Sequence, residues 1–172
     1  MKVAFGSLLV AWSLVWLPCN IASAVMLPRH DYESGAGVCQ GSLPVSMNKL
    51  RARPLGLGNE SDTSAFVTCL NQGGGADDTA RNMSSYLIHF GNTTSTTITI
   101  SCTLVHGGGG GPVPADYVVK SMEIFGASNR TMTFRPEDID APELRYPQAS
   151  CVLPPGGVIY YTGVRYIEDV GP

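Results

Sequence analysis

From Thr97 to Leu104 apolar and hydroxyl residues alternate without a break: Ile98, Ile100, Cys102 and Leu104 share one parity, and Thr97, Thr99, Ser101 and Thr103 share the other. A period of two belongs to a strand with one face on a core and the other in water. Upstream, Ser85 to Phe90 places Tyr86, Ile88 and Phe90 on one face, and Gly91 to Ser95 supplies turn chemistry between the two runs. The pair predicts a β-hairpin. Further β-rich runs separated by turn residues span Ser42 to Ser46, Ser64 to Leu70, Tyr117 to Phe125, Asn129 to Arg135, Ser150 to Leu153 and Val158 to Ile167. Past the N-terminus there is no apolar period of 3.6 residues long enough for a substantial helix. About eight strands, each burying one face, predict an all-β, two-sheet antiparallel sandwich or jelly roll. No internal repeat or linker divides it, so the expected domain is single and covers residues 25–172.

The N-terminus has a different pattern. Met1-Lys2 is followed by an uncharged stretch from Val3 to Leu17 and then by Ala22-Ser23-Ala24. A basic start, a short apolar span and small residues at −3 and −1 are the marks of a secretory signal peptide. Residues 1–24 are therefore expected to be a leader cleaved after Ala24. The span is short of the roughly 20 residues that cross a bilayer, which disfavours an uncleaved anchor. Acylation of Cys19 is disfavoured by Leu17-Pro18 where a small residue belongs. Cleavage removes Lys2 and one of the five cysteines. Cys39, Cys69, Cys102 and Cys151 would then meet an oxidising, secreted or periplasmic compartment, where two disulfides are the natural outcome. Four cysteines allow three connectivities. On the predicted framework, Cys69 with Cys102 and Cys39 with Cys151 would clamp the centre and the two ends.

Charged residues make up only 15% of the chain, with 11 Lys+Arg against 14 Asp+Glu. No run of Lys or Arg exists, which argues against a nucleic-acid partner. A hydrophobic content of 44% argues against disorder. The glycine clusters at Gly73 to Gly75, Gly107 to Gly111 and Gly156-Gly157 lack the lysine and following helix of a phosphate-binding loop and read as connections.

Val67-Thr68-Cys69, Ser101-Cys102-Thr103-Leu104 and Cys151-Val152-Leu153-Pro154-Pro155-Gly156, the last followed by an aromatic strand, resemble segments of small exported bacterial proteins of uncharacterised role. That resemblance implies a β-rich, disulfide-bonded fold and carries no functional residues with it.

Candidate chemistry is sparse. His30 lies near the expected mature N-terminus, His89 on the solvent parity of its strand and His106 beside a glycine loop; none has a Gly-x-Ser-x-Gly elbow to serve. The acidic run Glu137 to Glu143 offers Asp138, Asp140 and Glu143 as oxygen ligands for Ca²⁺, without the glycine and ligand series of an EF-hand; Asp77-Asp78 is a weaker case. Tyr160, Tyr161 and Tyr166 occupy strand positions of mixed parity, so some point outward, where flat rings suit sugar faces. Four Asn-x-Ser/Thr triplets begin at Asn59, Asn82, Asn92 and Asn129; they are glycan acceptors in a eukaryotic secretory route or turn-forming residues elsewhere. The sum is an exported, non-enzymatic binding or surface/adhesion-type module for a glycan or protein, with no membrane span after cleavage. The alternatives are a small secreted hydrolase or toxin-like effector working through the acidic loop, and a structural subunit that assembles by strand addition.

Overall fold

The computed structural model describes residues 25–70, 83–107 and 114–171. The expected leader, Asp77-Asp78, Asn82 and most of the first two glycine clusters lie outside the described residues. Eleven strands are described: β1 (Met26–Ser34), β2 (Cys39–Gly41), β3 (Leu50–Arg53), β4 (Gly56–Asn59), β5 (Ala65–Cys69), β6 (Met83–Asn92), β7 (Ile98–His106), β8 (Asp116–Ile124), β9 (Asn129–Phe134), β10 (Gln148–Leu153) and β11 (Gly157–Asp169). They form two antiparallel sheets, one ordered β3-β4-β11-β6-β9 with β1 also on β11, the other ordered β2-β5-β10-β7-β8. The predicted all-β sandwich is the observed architecture. Alternating residues of both sheets build its core, among them Tyr86, Ile88, Phe90, Phe134, Ile159 and Val164 from one and Val67, Ile100, Leu104, Ile124, Cys151 and Leu153 from the other.

The strand count exceeds the expected eight because four strands, β1 to β4, lack a period-two signature of useful length, while one expected strand is a helical turn. β1 is an edge whose residues are mostly exposed. β3 is Leu50-Arg51-Ala52-Arg53, and β4 is Gly56-Leu57-Gly58-Asn59, buried throughout. The strand expected over Ser42 to Ser46 is instead a helical turn at Pro44–Met47 that follows the three-residue β2. Pro44 sits in the first turn of that helix, where its fixed φ is favourable and its missing N–H costs nothing.

The predicted hairpin does not form. β6 pairs with β11 and β9 in one sheet, whereas β7 pairs with β10 and β8 in the other. Between them the chain arches across the core, and a buried asparagine makes the turn. The Asn92 amide donates to the carbonyls of Thr96, Ile124 and Phe125 at 2.6, 3.0 and 3.1 Å. Its side-chain oxygen accepts from the Thr94 N–H at 2.9 Å and the Thr94 hydroxyl at 2.8 Å. The step from β4 to β5 is built the same way. The Asn59 amide donates to the carbonyls of Thr63 and Leu153, and its oxygen accepts from the Ser61 N–H and hydroxyl.

The likeness extends into the sequence. Gly58-Asn59, Ser61, Thr63, Val67 and Cys69 recur 33 positions later as Gly91-Asn92, Thr94, Thr96, Ile100 and Cys102. This twelve-residue likeness between the two arches is hidden in the sequence because mostly alternate positions are kept. Two of the four Asn-x-Ser/Thr triplets are thus turn chemistry with the amide nitrogen buried and fully engaged. Asn129 is exposed at the start of β9.

The disulfides are Cys39–Cys69 and Cys102–Cys151, which corrects the expected Cys69–Cys102 and Cys39–Cys151 pairing. β10 lies between β5 and β7, so Cys69 and Cys102 sit two strand spacings, roughly 9.6 Å, apart, beyond the reach of one S–S bond. Each observed bridge joins directly opposed residues of neighbouring strands, β2 to β5 and β7 to β10. All four sulfurs face the core, and no cysteine among them is more than 7% exposed. Their sequence separations of 30 and 49 correspond to about 4 kcal/mol each in the chain-entropy account.

Peptide mapping of unreduced protein should recover Cys39 linked to Cys69 and Cys102 linked to Cys151; a fragment joining Cys69 to Cys102 contradicts the strand order. Asn92→Ala strands three carbonyls in a buried turn and should cost at least about 2 kcal/mol in denaturant unfolding. A change under about 0.5 kcal/mol would remove the latch role.

Candidate functional site

The outer face of the six-stranded sheet carries a cluster of aromatic rings, Tyr32, His89, Tyr160 and Tyr161, while Phe66, Tyr117, Phe125 and Tyr146 are exposed elsewhere. A β-bulge in β11 is the cause of the cluster. Ile159 pairs with Phe90 and Tyr161 with His89, which leaves Tyr160 as the extra residue. A bulge sets two successive side chains against one on the neighbouring strand. Ile159 and Thr162 therefore both point into the core, and Tyr160 and Tyr161 both point out. Tyr166 lies past a second irregularity and packs against the core, so only two of the three tyrosines singled out in the sequence join the outer face.

The two outward tyrosines meet residues from three other strands. Tyr161 stacks on His89 of β6 with ring centroids 4.7 Å apart and planes 16° apart. Tyr160 also meets this imidazole, with centroids 5.8 Å apart and planes tilted by 35°. Tyr32 of β1 meets Tyr161 edge-on at 5.4 Å, and His30 lies parallel to Tyr32 at 6.2 Å. From β9, the Thr131 hydroxyl is 2.8 Å from His89 Nδ1.

Two glycines give the rings room to lie against the sheet. A Cβ on Gly91 would stand 2.5 to 2.7 Å from three atoms of the Tyr160 ring, and one on Gly163 would stand 2.6 Å from the Tyr32 ring. Glycine in a strand marks such close approach. Tyr32 remains 53% exposed. Sequence reasoning placed His89 on this face but missed Tyr32, because β1 has no alternation to mark it as a strand. His30, expected near a loose terminus, is held in β1 opposite Arg165.

Along the same face the platform runs into a cleft of about 720 Å³. Its floor is Arg165 of β11 with Ser84 and Ser85 of β6, and its far wall is the segment Arg135 to Glu143. That segment leaves the sheet after Phe134, opposite Tyr86, and rejoins β6 where Leu144 bridges to Met83. It is therefore a loop anchored at both ends beside the platform. Asp140 on the wall adopts φ 51°, a left-handed conformation that Asp tolerates better than most residues.

The loop does not assemble the calcium site expected from Asp138, Asp140 and Glu143. Lys120 Nζ donates to the Asp138 carboxylate at 2.6 Å, and the Arg135 N–H donates to the same oxygen at 2.7 Å. Lys120 also donates to the Thr133 carbonyl, so this group ties β8 of one sheet to β9 of the other. Glu143 is bonded to Arg145 Nε. Among the described residues no group of three His, Cys, Asp or Glu side chains is placed to hold a metal ion. His106, expected at the surface, is buried, and its Nδ1 accepts the Arg145 N–H at 2.8 Å. It is a structural acceptor and lies in the sheet opposite to the one that carries His89.

Two groups near the site titrate away from their ordinary values. Desolvation lowers the His89 pKa from its usual 6.5, so the ring is neutral at neutral pH and free to stack. For Asp138, burial alone would raise the pKa, but the hydrogen bonds from Lys120 and the Arg135 N–H, with the positive charges of both residues, hold it below 3.8.

No family model and no curated protein matches this chain. Among solved structures it is similar to one described as TmCBM61 in complex with beta-1,4-galactotriose, at 8% identity and a TM-score of 0.33, over 81% of this chain and 88% of that one. The platform and cleft are therefore read from their own residues alone.

Both titrations give stability that is lost toward acid, in separate windows. A depressed histidine contributes fully above its unfolded value, and that contribution falls as pH drops from about 6.5 through the folded value. The Asp138 contribution is full above 3.8 and is lost as pH falls below that. Melting temperature against pH should show two descents, with His89→Gln flattening the upper one and Asp138→Asn the lower. A His89→Gln profile that keeps the upper descent assigns it elsewhere.

Proposed function

We propose that this chain is an exported glycan-binding β-sandwich module whose ligand lies on the outer face of the six-stranded sheet. One observation carries the reading: Tyr32, Tyr160, Tyr161 and His89, drawn from three strands, form one connected cluster of rings on a solvent-facing sheet surface. Tyr117 and Tyr146 are also exposed, but the Tyr32, Tyr160, Tyr161 and His89 rings contact one another in a single cluster. Aromatic rings whose faces meet water bind the C–H-rich faces of sugars, while their polar edges keep the surface soluble. Rigid rings with few rotatable bonds also lose little conformational entropy on binding. A neutral, hydrogen-bonded His89 keeps the centre of the cluster uncharged. The two buried disulfides suit an oxidising compartment outside the cytosol, and the weakly charged, hydroxyl-rich composition suits a ligand recognised by shape and hydrogen bonds.

The experiment is a calorimetric titration of the oxidised protein with a panel of soluble oligosaccharides, repeated with Tyr32→Ala and Tyr161→Ala. At least one sugar series should bind, and each substitution should weaken it by roughly tenfold or more, or about 1.4 kcal/mol. Melting temperatures of both variants should stay near the parent value, because the rings lie outside the core. Unchanged affinity in both variants, or no binding across the panel, contradicts the proposal.

A further inference from the structure

We infer that the platform and the adjoining cleft form one continuous site for an uncharged, linear oligosaccharide, with Arg165 as the residue that makes chain length count. This rests on the glycan reading above and adds the ligand class. The strand register supplies the continuity. Across β1, β11 and β6 the outward rows run Ser34–Tyr161–His89, then Tyr32–Gly163–Leu87, then His30–Arg165–Ser85. Arg165 follows Tyr161 by four residues of one strand, about 13 Å, too far for a single sugar to touch both. Gly163 between them carries no side chain, and Tyr32 fills the gap from the side, so no wall separates the two halves.

The chemistry of the cleft selects the class. The Arg165 guanidinium has no hydrogen-bond or ion-pair partner among the described residues, its carbonyl accepting from the Ser84 hydroxyl at 3.2 Å, and it lines the cleft. Facing it on the loop, Glu137 and Asp140 also lack partners among the described residues, unlike Asp138 and Glu143. The cleft thus presents donors from Arg135 and Arg165, acceptors from Glu137 and Asp140, and the Ser84 hydroxyl oxygen, whose proton is given to the Arg165 carbonyl. Such a mixed set matches the hydroxyls of a neutral sugar, each of which both donates and accepts. Arg135 and Arg165 balance Glu137 and Asp140 in the lining, so the cleft offers no net positive charge to an anionic sugar, whose carboxylate would also meet like charge at Glu137 and Asp140.

The test is affinity against chain length for neutral gluco-, galacto- and manno-oligosaccharides from monosaccharide to hexasaccharide, with a uronate trisaccharide for comparison. For the parent protein, affinity should climb by roughly tenfold or more between the monosaccharide and the longer chains, and the neutral trimer should outbind the uronate. In Arg165→Met, which keeps the stem of an exposed residue and so the fold, affinity should stop rising with length. A climb in Arg165→Met equal to the parent's, or a uronate that binds more tightly than its neutral counterpart, overturns this inference while leaving the platform reading intact. Failure of every sugar to bind the parent protein removes both.

Discussion

Two buried asparagines carry the chain from one sheet to the other at the β4–β5 and β6–β7 crossings. At Asn59 and at Asn92 the backbone leaves one sheet, crosses the core and enters the other, and such a crossing exposes carbonyls that no ladder satisfies. An unpaired buried carbonyl costs more than an ordinary hydrogen bond contributes. The asparagine amide supplies the missing donors at both places, while its oxygen takes the hydroxyl and N–H two residues on. Without that latch a tight hairpin would be the simpler outcome for Gly91 to Ser95. With it, β6 and β7 face each other across the core, and Cys69 and Cys102 are carried to equivalent places in one sheet. Each cysteine then finds its partner on an adjacent strand, and the bridges become staples within a sheet.

The same sheet order frees the outer surface for function. β11 is long enough to pair with β4 near its start and with β1 beyond it, and with β6 along most of its length. Where it passes from one neighbour to the other, the bulge turns Tyr160 outward beside Tyr161. Lys120 and Asp138 hold the opposite side of the sandwich closed, and this fixes the start of the loop that walls the cleft. The platform therefore depends on the irregularity of β11, and the cleft on a loop anchored at both ends.

Much of this was legible from residue patterns, and the omissions have physical causes. Strands with one dry face announced themselves, as in Ile98 to His106 and Gln148 to Leu153. β4 did not, because Gly58 and Asn59 are buried by backbone packing and hydrogen bonding, which leave no hydrophobic signature. β1 did not, because an edge strand exposed on most of its length has nothing to alternate. The hairpin expectation failed because period and turn residues are the same in a hairpin and in an arch; only the triple donation by Asn92 separates them, and that is a tertiary fact. The acidic loop looked like a cation site because carboxylates are easy to count in sequence, whereas the lysine that takes one of them arrives from 18 residues away. Tyr160 and Tyr161 were recognisable as candidates, yet their common direction depends on a bulge that adjacent identical residues do not reveal.

The most direct measurement is a two-dimensional NMR titration of the labelled protein with a neutral oligosaccharide. The expected result is a set of shifted resonances confined to Tyr32, His89, Gly91, Tyr160, Tyr161, Gly163 and Arg165, with the outer face of the five-stranded sheet unmoved. Shifts that map to that second face, around Phe66, Thr103 or Val119, would place the ligand on the wrong side of the sandwich and contradict the account.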